Sequence, residues 1–130
     1  MAQASRVYSD IDFNFDVHPL TGNLTKVYDG EAVKQSIKNL VLTNFYERPF
    51  RPALAGDVTS YLFENATVFT QDNIKTAVKD VIRSHEPRAR NVVVDTNMLH
   101  DDNELNVTVT FETANVENPI TLEIVLKRIR

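Results

Sequence analysis

Residues 70–94 read TQDNIKTAVKDVIRSHEPRARNVVV, and a change of period inside this stretch decides the fold. Up to His85, the apolar residues Ile74, Ala77, Val78, Val81 and Ile82 recur at helical spacing. From Asn91 onward, Val92, Val93 and Val94 open a β-branched run, and apolar and polar residues then alternate to the end of the chain. Between them stands Glu86-Pro87-Arg88. A proline stops a helix and biases the residue before it away from helical geometry. Glu86 lies at the negative end of the helix dipole, so the two charges need an account of their own. Two readings stand: a helix stop with solvated charges, or a docking point for a partner. Glu47, Arg48 and Arg51 are the intrachain candidates to pair with them.

Downstream, strand patterns alternate with turn patterns. The first strand runs to about Leu99, and His100-Asp101-Asp102-Asn103 is a turn. Leu105, Val107, Val109 and Phe111 alternate with Asn106, Thr108, Thr110 and Glu112, as in a half-buried strand. A turn over 115–119 follows. In the last strand Leu122, Ile124 and Leu126 alternate with Thr121, Glu123, Val125 and Lys127. A terminal strand is commonly an edge, with unpaired backbone groups that can accept a strand from another chain. Protection of that edge by its charges is the alternative.

Upstream, three helices are expected. The first starts with Asp29 as cap and Glu31 in its first turn. Its stripe is Val33, Ile37, Leu40 and Val41, and it ends near Thr43 or Asn44. Two prolines, Pro49 and Pro52, make the next stretch an ordered loop, which Phe45, Tyr46 and Phe50 can anchor to the core. A short helix over about 57–65 carries Val58, Tyr61 and Leu62, and Thr70 is the expected cap of the third helix. At the start of the chain, Ile11, Phe13, Phe15 and Val17 alternate with Asp10, Asp12, Asn14, Asp16 and His18, an extended segment laid over a core or a partner. The predicted fold is therefore α+β: one domain over 1–130, with three helices packed on a small antiparallel C-terminal β-meander and an extended N-terminal segment.

Composition narrows the functions. Net charge is −4, which disfavours nucleic-acid binding through bulk electrostatics. With no cysteine there is no disulfide, thiolate nucleophile or thiolate metal site. No run reaches the roughly 18 apolar residues of a membrane helix, and residues 1–6 lack the apolar core of a secretion signal. The histidines, His18, His85 and His100, are scattered, and with only three glycines a phosphate cradle is hard to build. No metal site and no cofactor are expected. Asp57, Glu64 and Asp72 are the carboxylates a glycosidase reading would have to use, chosen only because they sit near helix ends.

Several pieces in order carry a resemblance. They are Tyr8-Ser9-Asp10-Ile11-Asp12-Phe13, Ser36-Ile37-Lys38-Asn39-Leu40, Glu47-Arg48-Pro49-Phe50-Arg51-Pro52, Leu62-Phe63-Glu64, and Glu86-Pro87-Arg88 before the meander. Together they resemble the T4-type baseplate wedge and sheath-initiator family of contractile phage tails, the gene-twenty-five-like proteins related to a type VI secretion baseplate component. The resemblance spans essentially the whole chain. It implies a structural, non-enzymatic virion protein of the tail baseplate, assembled in the host cytoplasm. Its partners would be other wedge proteins, the tail sheath protein and the tail tube, in a sixfold baseplate without nucleic acid or membrane. Glu86, Pro87 and Arg88 would dock on the helical core bundle of the wedge. The strand bearing Leu122, Ile124 and Leu126 would accept extended arms from sheath subunits and so template the first sheath ring. The alternative function is a peptidoglycan muramidase, a lysozyme label that members of the family also carry.

Overall fold

The computed structural model describes residues 8–44, 46–53, 57–63, 67–99, 104–114 and 116–127. Its elements in chain order are β1 (Ser9–Ile11), β2 (Lys26–Tyr28), α1 (Asp29–Leu42), a 3-10 segment (Val58–Phe63), α2 (Val68–His85), β3 (Arg90–Leu99), β4 (Glu104–Glu112) and β5 (Ile120–Lys127). The period change at Glu86-Pro87-Arg88 coincides with the end of α2 and the start of the β3–β4–β5 meander, which is antiparallel throughout.

The meander buries one face. Its core-facing rows across the three strands are Val94–Val109–Leu122, Thr96–Val107–Ile124 and Met98–Leu105–Leu126. On the other face, Asp95–Thr108–Glu123 forms a polar row, and Asn97–Asn106–Val125 is polar except for Val125. This is the strand alternation seen in the sequence, sorted by the pleat into a dry side and a wet side. The helices cover the dry side, with α2 against β3 and α1 against β5. Val33, Ile37 and Val41 of α1 and Ile74, Val78 and Ile82 of α2 are fully buried there, joined by Val58 and Phe111.

Three expectations are corrected. Among the described residues there are two α-helices, not three. The stretch expected as a middle helix is the six-residue 3-10 segment, too short to offset the cost of nucleating an α-helix. The N-terminal extended segment is also not alone. It pairs with β2 as a separate two-stranded sheet, in the register Ser9↔Tyr28, Asp10↔Val27 and Ile11↔Lys26, with a further bridge Val17↔Leu24. Finally, both helix caps differ. Thr67, not Thr70, caps α2: its hydroxyl accepts the Thr70 N–H at 3.2 Å, so the helix begins earlier, at Val68. Asp29 is the first residue of α1, with φ +45°, and its carboxylate accepts the Tyr8 N–H at 3.0 Å rather than capping the helix.

The apolar alternation of residues 11–17 does not report burial. Phe13 is 52% and Phe15 63% exposed, and their rings stack with centroids 6.4 Å apart. A turn closed by Phe15 N–H on the Asp12 carbonyl, with Phe15 at φ +56°, interrupts the extended run.

Helix α1 meets the start of β5 closely at Gly30. A methyl group there would overlap Ile120 Cδ1 and lie 3.4 Å from Val116 Cγ2. Gly30→Val should therefore cost about 1–3 kcal/mol through overpacking. Urea unfolding of Gly30→Val, Ile120→Ala and the double variant checks this. The double variant should lose less than the two singles added together, because the overlap is removed. Additive losses would show that the contact does not limit α1 packing.

Candidate functional site

The corner after α2 is built by a turn. The Glu86 N–H donates to the Ile82 carbonyl at 2.8 Å and ends the helix. The Ala89 N–H then donates to the Glu86 carbonyl at 3.2 Å, closing a four-residue turn with Pro87 in its second position. Proline suits that position because its φ is already set. The turn folds Arg88 back onto Glu86. Arg88 Nε donates to Glu86 Oε1 at 2.6 Å and Nη2 to Oε2 at 2.8 Å, a bidentate fork. Ser36, on α1, donates from Oγ to the same Oε2 at 2.5 Å. The Tyr8 ring lies under the guanidinium, 5.2 Å from its centroid to Cζ.

Glu86 is 2% exposed, whereas Pro87 is exposed and Arg88 half-buried. Burial by itself would raise the Glu86 pKa. The hydrogen bonds from Arg88 and Ser36 and the Arg88 charge outweigh it, and the carboxyl is held below its ordinary value. Arg88 is correspondingly held above its ordinary value, through its hydrogen bond to Glu86. The two charges thus pair with each other, not with Glu47, Arg48 or Arg51. At the surface of the corner Pro87 is exposed and Arg88 is partly so.

Leu122, Ile124 and Leu126 are 5%, 3% and 7% exposed, with side chains in the core. Their availability to a partner is therefore through main chain. Among the described residues β5 pairs only with β4, so its outer edge carries no strand. The outer edge of β3 is likewise free.

Beside β5 lies a groove of about 380 Å³ between α1 and the N-terminal hairpin. Its lining includes Phe13 of the hairpin, Val27 of β2, Lys34 and Lys38 of α1, and Leu122 of β5. Gln35 ties the hairpin to α1: its amide nitrogen donates to the Ile11 carbonyl at 2.9 Å, and its oxygen accepts from the Phe13 N–H at 3.3 Å.

The loop after α1 is closed by Tyr46 N–H donating to the Pro52 carbonyl at 2.9 Å, but Tyr46 and Phe50 do not anchor it. Tyr46 and Phe50 are exposed, Phe50 at 97%, and Phe45 lies outside the described residues. The loop is held instead by the Glu47 carboxylate, which accepts from the Asn44 N–H and its side-chain amide at 3.1 Å each. Of the glycosidase candidates, Asp57 and Asp72 do not line the groove, and Glu64 lies outside the described residues. Among the described residues no group of three or more His, Asp or Glu side chains could hold a metal ion. Among the described residues no helix is long and apolar enough to cross a membrane.

Sequence reasoning missed Ser36 and Tyr8 as members of the corner. Both lie in segments that carried the family resemblance, but 50 residues separate Ser36 from Glu86, and only the fold brings them together.

Comparison with known proteins supplies the context. A family model described as baseplate wedge protein gp25 matches residues 28–117, from the end of β2 to the turn before β5. Baseplate wedge protein gp25 of Enterobacteria phage T4 is 30% identical over 129 residues, covering 95% of this chain and 91% of that protein. A chain in the sixfold-symmetrised cryo-EM structure of the anti-feeding prophage baseplate is 27% identical, with a TM-score of 0.67, covering 85% of this chain and 89% of its own. A crystal structure from Geobacter sulfurreducens, provisionally assigned as a tail lysozyme, is 19% identical with a TM-score of 0.68, covering 77% of this chain and 91% of its own. At that identity the likeness is one of fold alone.

The corner has a pH signature. A carboxyl whose pKa is depressed in the folded state adds stability that is fully present above the ordinary glutamate value of 4.5 and is lost as pH falls through the lowered value. Glu86→Gln should cost about 1–3 kcal/mol near neutral pH, the worth of hydrogen bonds to a charged group. That difference should shrink below pH 4.5 as the native carboxyl takes up its proton. Urea unfolding of both proteins from neutral to acid pH measures it. A difference that stays constant into acid would show that the Glu86 charge does not stabilise the corner.

Proposed function

The chain belongs to the baseplate wedge protein gp25 family, and we propose that it is a non-enzymatic connector joining the wedge core to the tail sheath. Its structural role in a contractile-tail baseplate follows from the family. The connector reading assigns one end of the molecule to each partner. The Glu86-Pro87-Arg88 corner docks on the helical core bundle of the wedge. The β3–β4–β5 sheet accepts extended arms of sheath subunits, templating the first sheath ring in a sixfold baseplate that also contacts the tail tube.

One observation carries this reading: among the described residues the β3–β4–β5 sheet has three strands, and the outer edge of β5 carries none. Such an edge offers a row of backbone donors and acceptors, and an added strand gains main-chain hydrogen bonds whatever its sequence. The corner supports the other half. The Glu86 fork costs Arg88 part of its hydrogen-bonding capacity but holds its guanidinium in one orientation, and a preoriented donor loses less entropy on docking.

The muramidase alternative finds no support at the corner. A glycosidase acid needs a carboxyl with a raised pKa beside a cleft. Glu86 is buried, held by two donor residues and driven the other way.

Two measurements test the connector. Arg88→Lys keeps the charge but not the fork, so the domain should stay folded with a loss of about 1 kcal/mol while its copy number in purified baseplates drops. Mass-spectrometric quantification of baseplates reads this, and normal copy number for both Arg88→Lys and Arg88→Gln would remove the docking role. For the edge, hydrogen exchange is compared between the isolated chain and assembled tails. Alternate amides of β5, those on its outer side, should exchange freely in the isolated chain and become protected by about tenfold or more in tails. Equal exchange in the two states would rule out strand addition at β5.

A further inference from the structure

The loop after α1 belongs neither to the corner nor to the sheet edge, yet it is closely built. Asp57 N–H donates to the Thr43 carbonyl at 3.4 Å and Tyr46 N–H to the Pro52 carbonyl at 2.9 Å, so the chain is drawn together twice. Asn44 is fastened from two sides. Its N–H and side-chain amide donate to the Glu47 carboxylate, and its side-chain oxygen accepts from the Thr59 hydroxyl of the 3-10 segment. Past Glu47, the Arg51 N–H donates to the Arg48 carbonyl at 3.2 Å, closing a turn with Pro49 in its second position. Such a turn brings its first and fourth Cα atoms within about 7 Å. Arg48 and Arg51 are therefore neighbours, with Phe50 between them at the tip.

Every residue from Tyr46 to Ala53 is exposed, Phe50 at 97% and Tyr46 at 83%. Tyr46 has φ +65°, a left-handed conformation disfavoured for a bulky side chain. A loop that only linked two elements would be served better by Gly or Asn at that position and by polar side chains at both. The charge of the loop is one-sided. Glu47, its one carboxylate, is taken up by Asn44. Arg48 and Arg51 make no ion pair or side-chain hydrogen bond among the described residues. The corner uses the same turn, with Pro87 in second position, but there Arg88 finds its carboxylate within the chain. Here two guanidiniums do not.

We propose that residues 46–51 are a docking finger for an acidic segment of a neighbouring baseplate protein, a contact separate from the corner and from the sheet. Phe50 enters an apolar hollow of that partner, and Arg48 and Arg51 each take a carboxylate beside it. Arginine meets a carboxylate with two parallel hydrogen bonds, and Tyr and Arg are residue types that carry much of the energy at protein interfaces. The turn sets the spacing the partner must offer: two carboxylates about 6–7 Å apart, as at i and i+4 of a helix or i and i+2 of a strand. Because the loop is already held in one conformation, docking costs it little ordering entropy. A protein fits better than a nucleic acid. Only two cations are offered, by a chain of net charge −4, and a phosphate backbone is held by many.

Benzoylphenylalanine, a photo-crosslinking analogue, in place of Phe50 tests the contact in purified baseplates, with the captured peptide mapped by mass spectrometry. It should capture one segment of a different protein, carrying two Asp or Glu residues at the stated spacing. Capture of nucleic acid, of this same chain, of a segment without such a pair, or of nothing overturns the proposal. Charge gives the second test. Arg48→Glu/Arg51→Glu should lower the copy number of the chain in purified baseplates about tenfold or more, since like charges then oppose each other. Lysines in place of the two captured carboxylates should restore it. Normal copy number in the double variant, or a loss that the exchange does not restore, also overturns the proposal. Urea unfolding of the isolated double variant should keep the wild-type midpoint, and a marked fall would show that the two arginines serve the fold instead. Arg88 and β5 are untouched in each case, so a failure here leaves the connector reading standing.

Discussion

The structure depends on a buried carboxylate. Glu86 sits almost fully out of water, and an unpaired charge there would be costly. It is tolerated because Arg88 forks both oxygens and Ser36 donates to one of them. Each of those bonds also has a structural consequence. Ser36 fixes α1 to the end of α2. Arg88 fixes the turn that launches β3, and its stacking on Tyr8 ties in the N-terminal hairpin. Tyr8 is itself tied to the first residue of α1 through backbone and side-chain bonds to Asp29. One interaction thus sets the relation between both helices, the sheet and the hairpin.

The rest of the surface fits a subunit made to be covered. Phe15, Tyr46, Phe50, Val68 and Phe69 stand in solvent, several of them more than four-fifths exposed. Scattered exposed apolar residues need no explanation, but large aromatics on projecting segments are a common mark of protein contact. The sheet edges tell the same story in backbone terms. A three-stranded sheet with free outer edges is an aggregation hazard in a protein that works alone, and a joining device in one that works in an assembly.

Much of the fold was legible in the chain. The period change at Pro87, the three C-terminal strands with their inward and outward residues, and the stripes of α1 and α2 were all visible, because these depend on local steric rules and on a burial pattern repeated every two or 3.6 residues. The failures have equally local causes. Residues 11–17 alternate like a half-buried strand, yet they bend at Phe15 and face solvent. Periodicity states which residues share a face, not what that face meets. The 3-10 segment carries a helical stripe too short to hold an α-helix. The caps were misplaced because Asp29 is occupied by Tyr8, and Thr67 takes the role expected of Thr70.

The candidate site divides in the same way. The chain's own pattern marks a charged corner at the helix-to-sheet junction and a last strand that alternates with Leu122, Ile124 and Leu126 on one side. Both follow from neighbours in the chain. The fold alone brings about that Glu86 and Arg88 satisfy each other, that Ser36 and Tyr8 complete their environment, and that Lys34 and Lys38 line one groove with Leu122 of β5. Those relations join residues far apart in sequence. They arise from how α1 is rotated over the sheet, which is set by packing of its apolar stripe and by the close approach at Gly30, and no local pattern encodes that rotation.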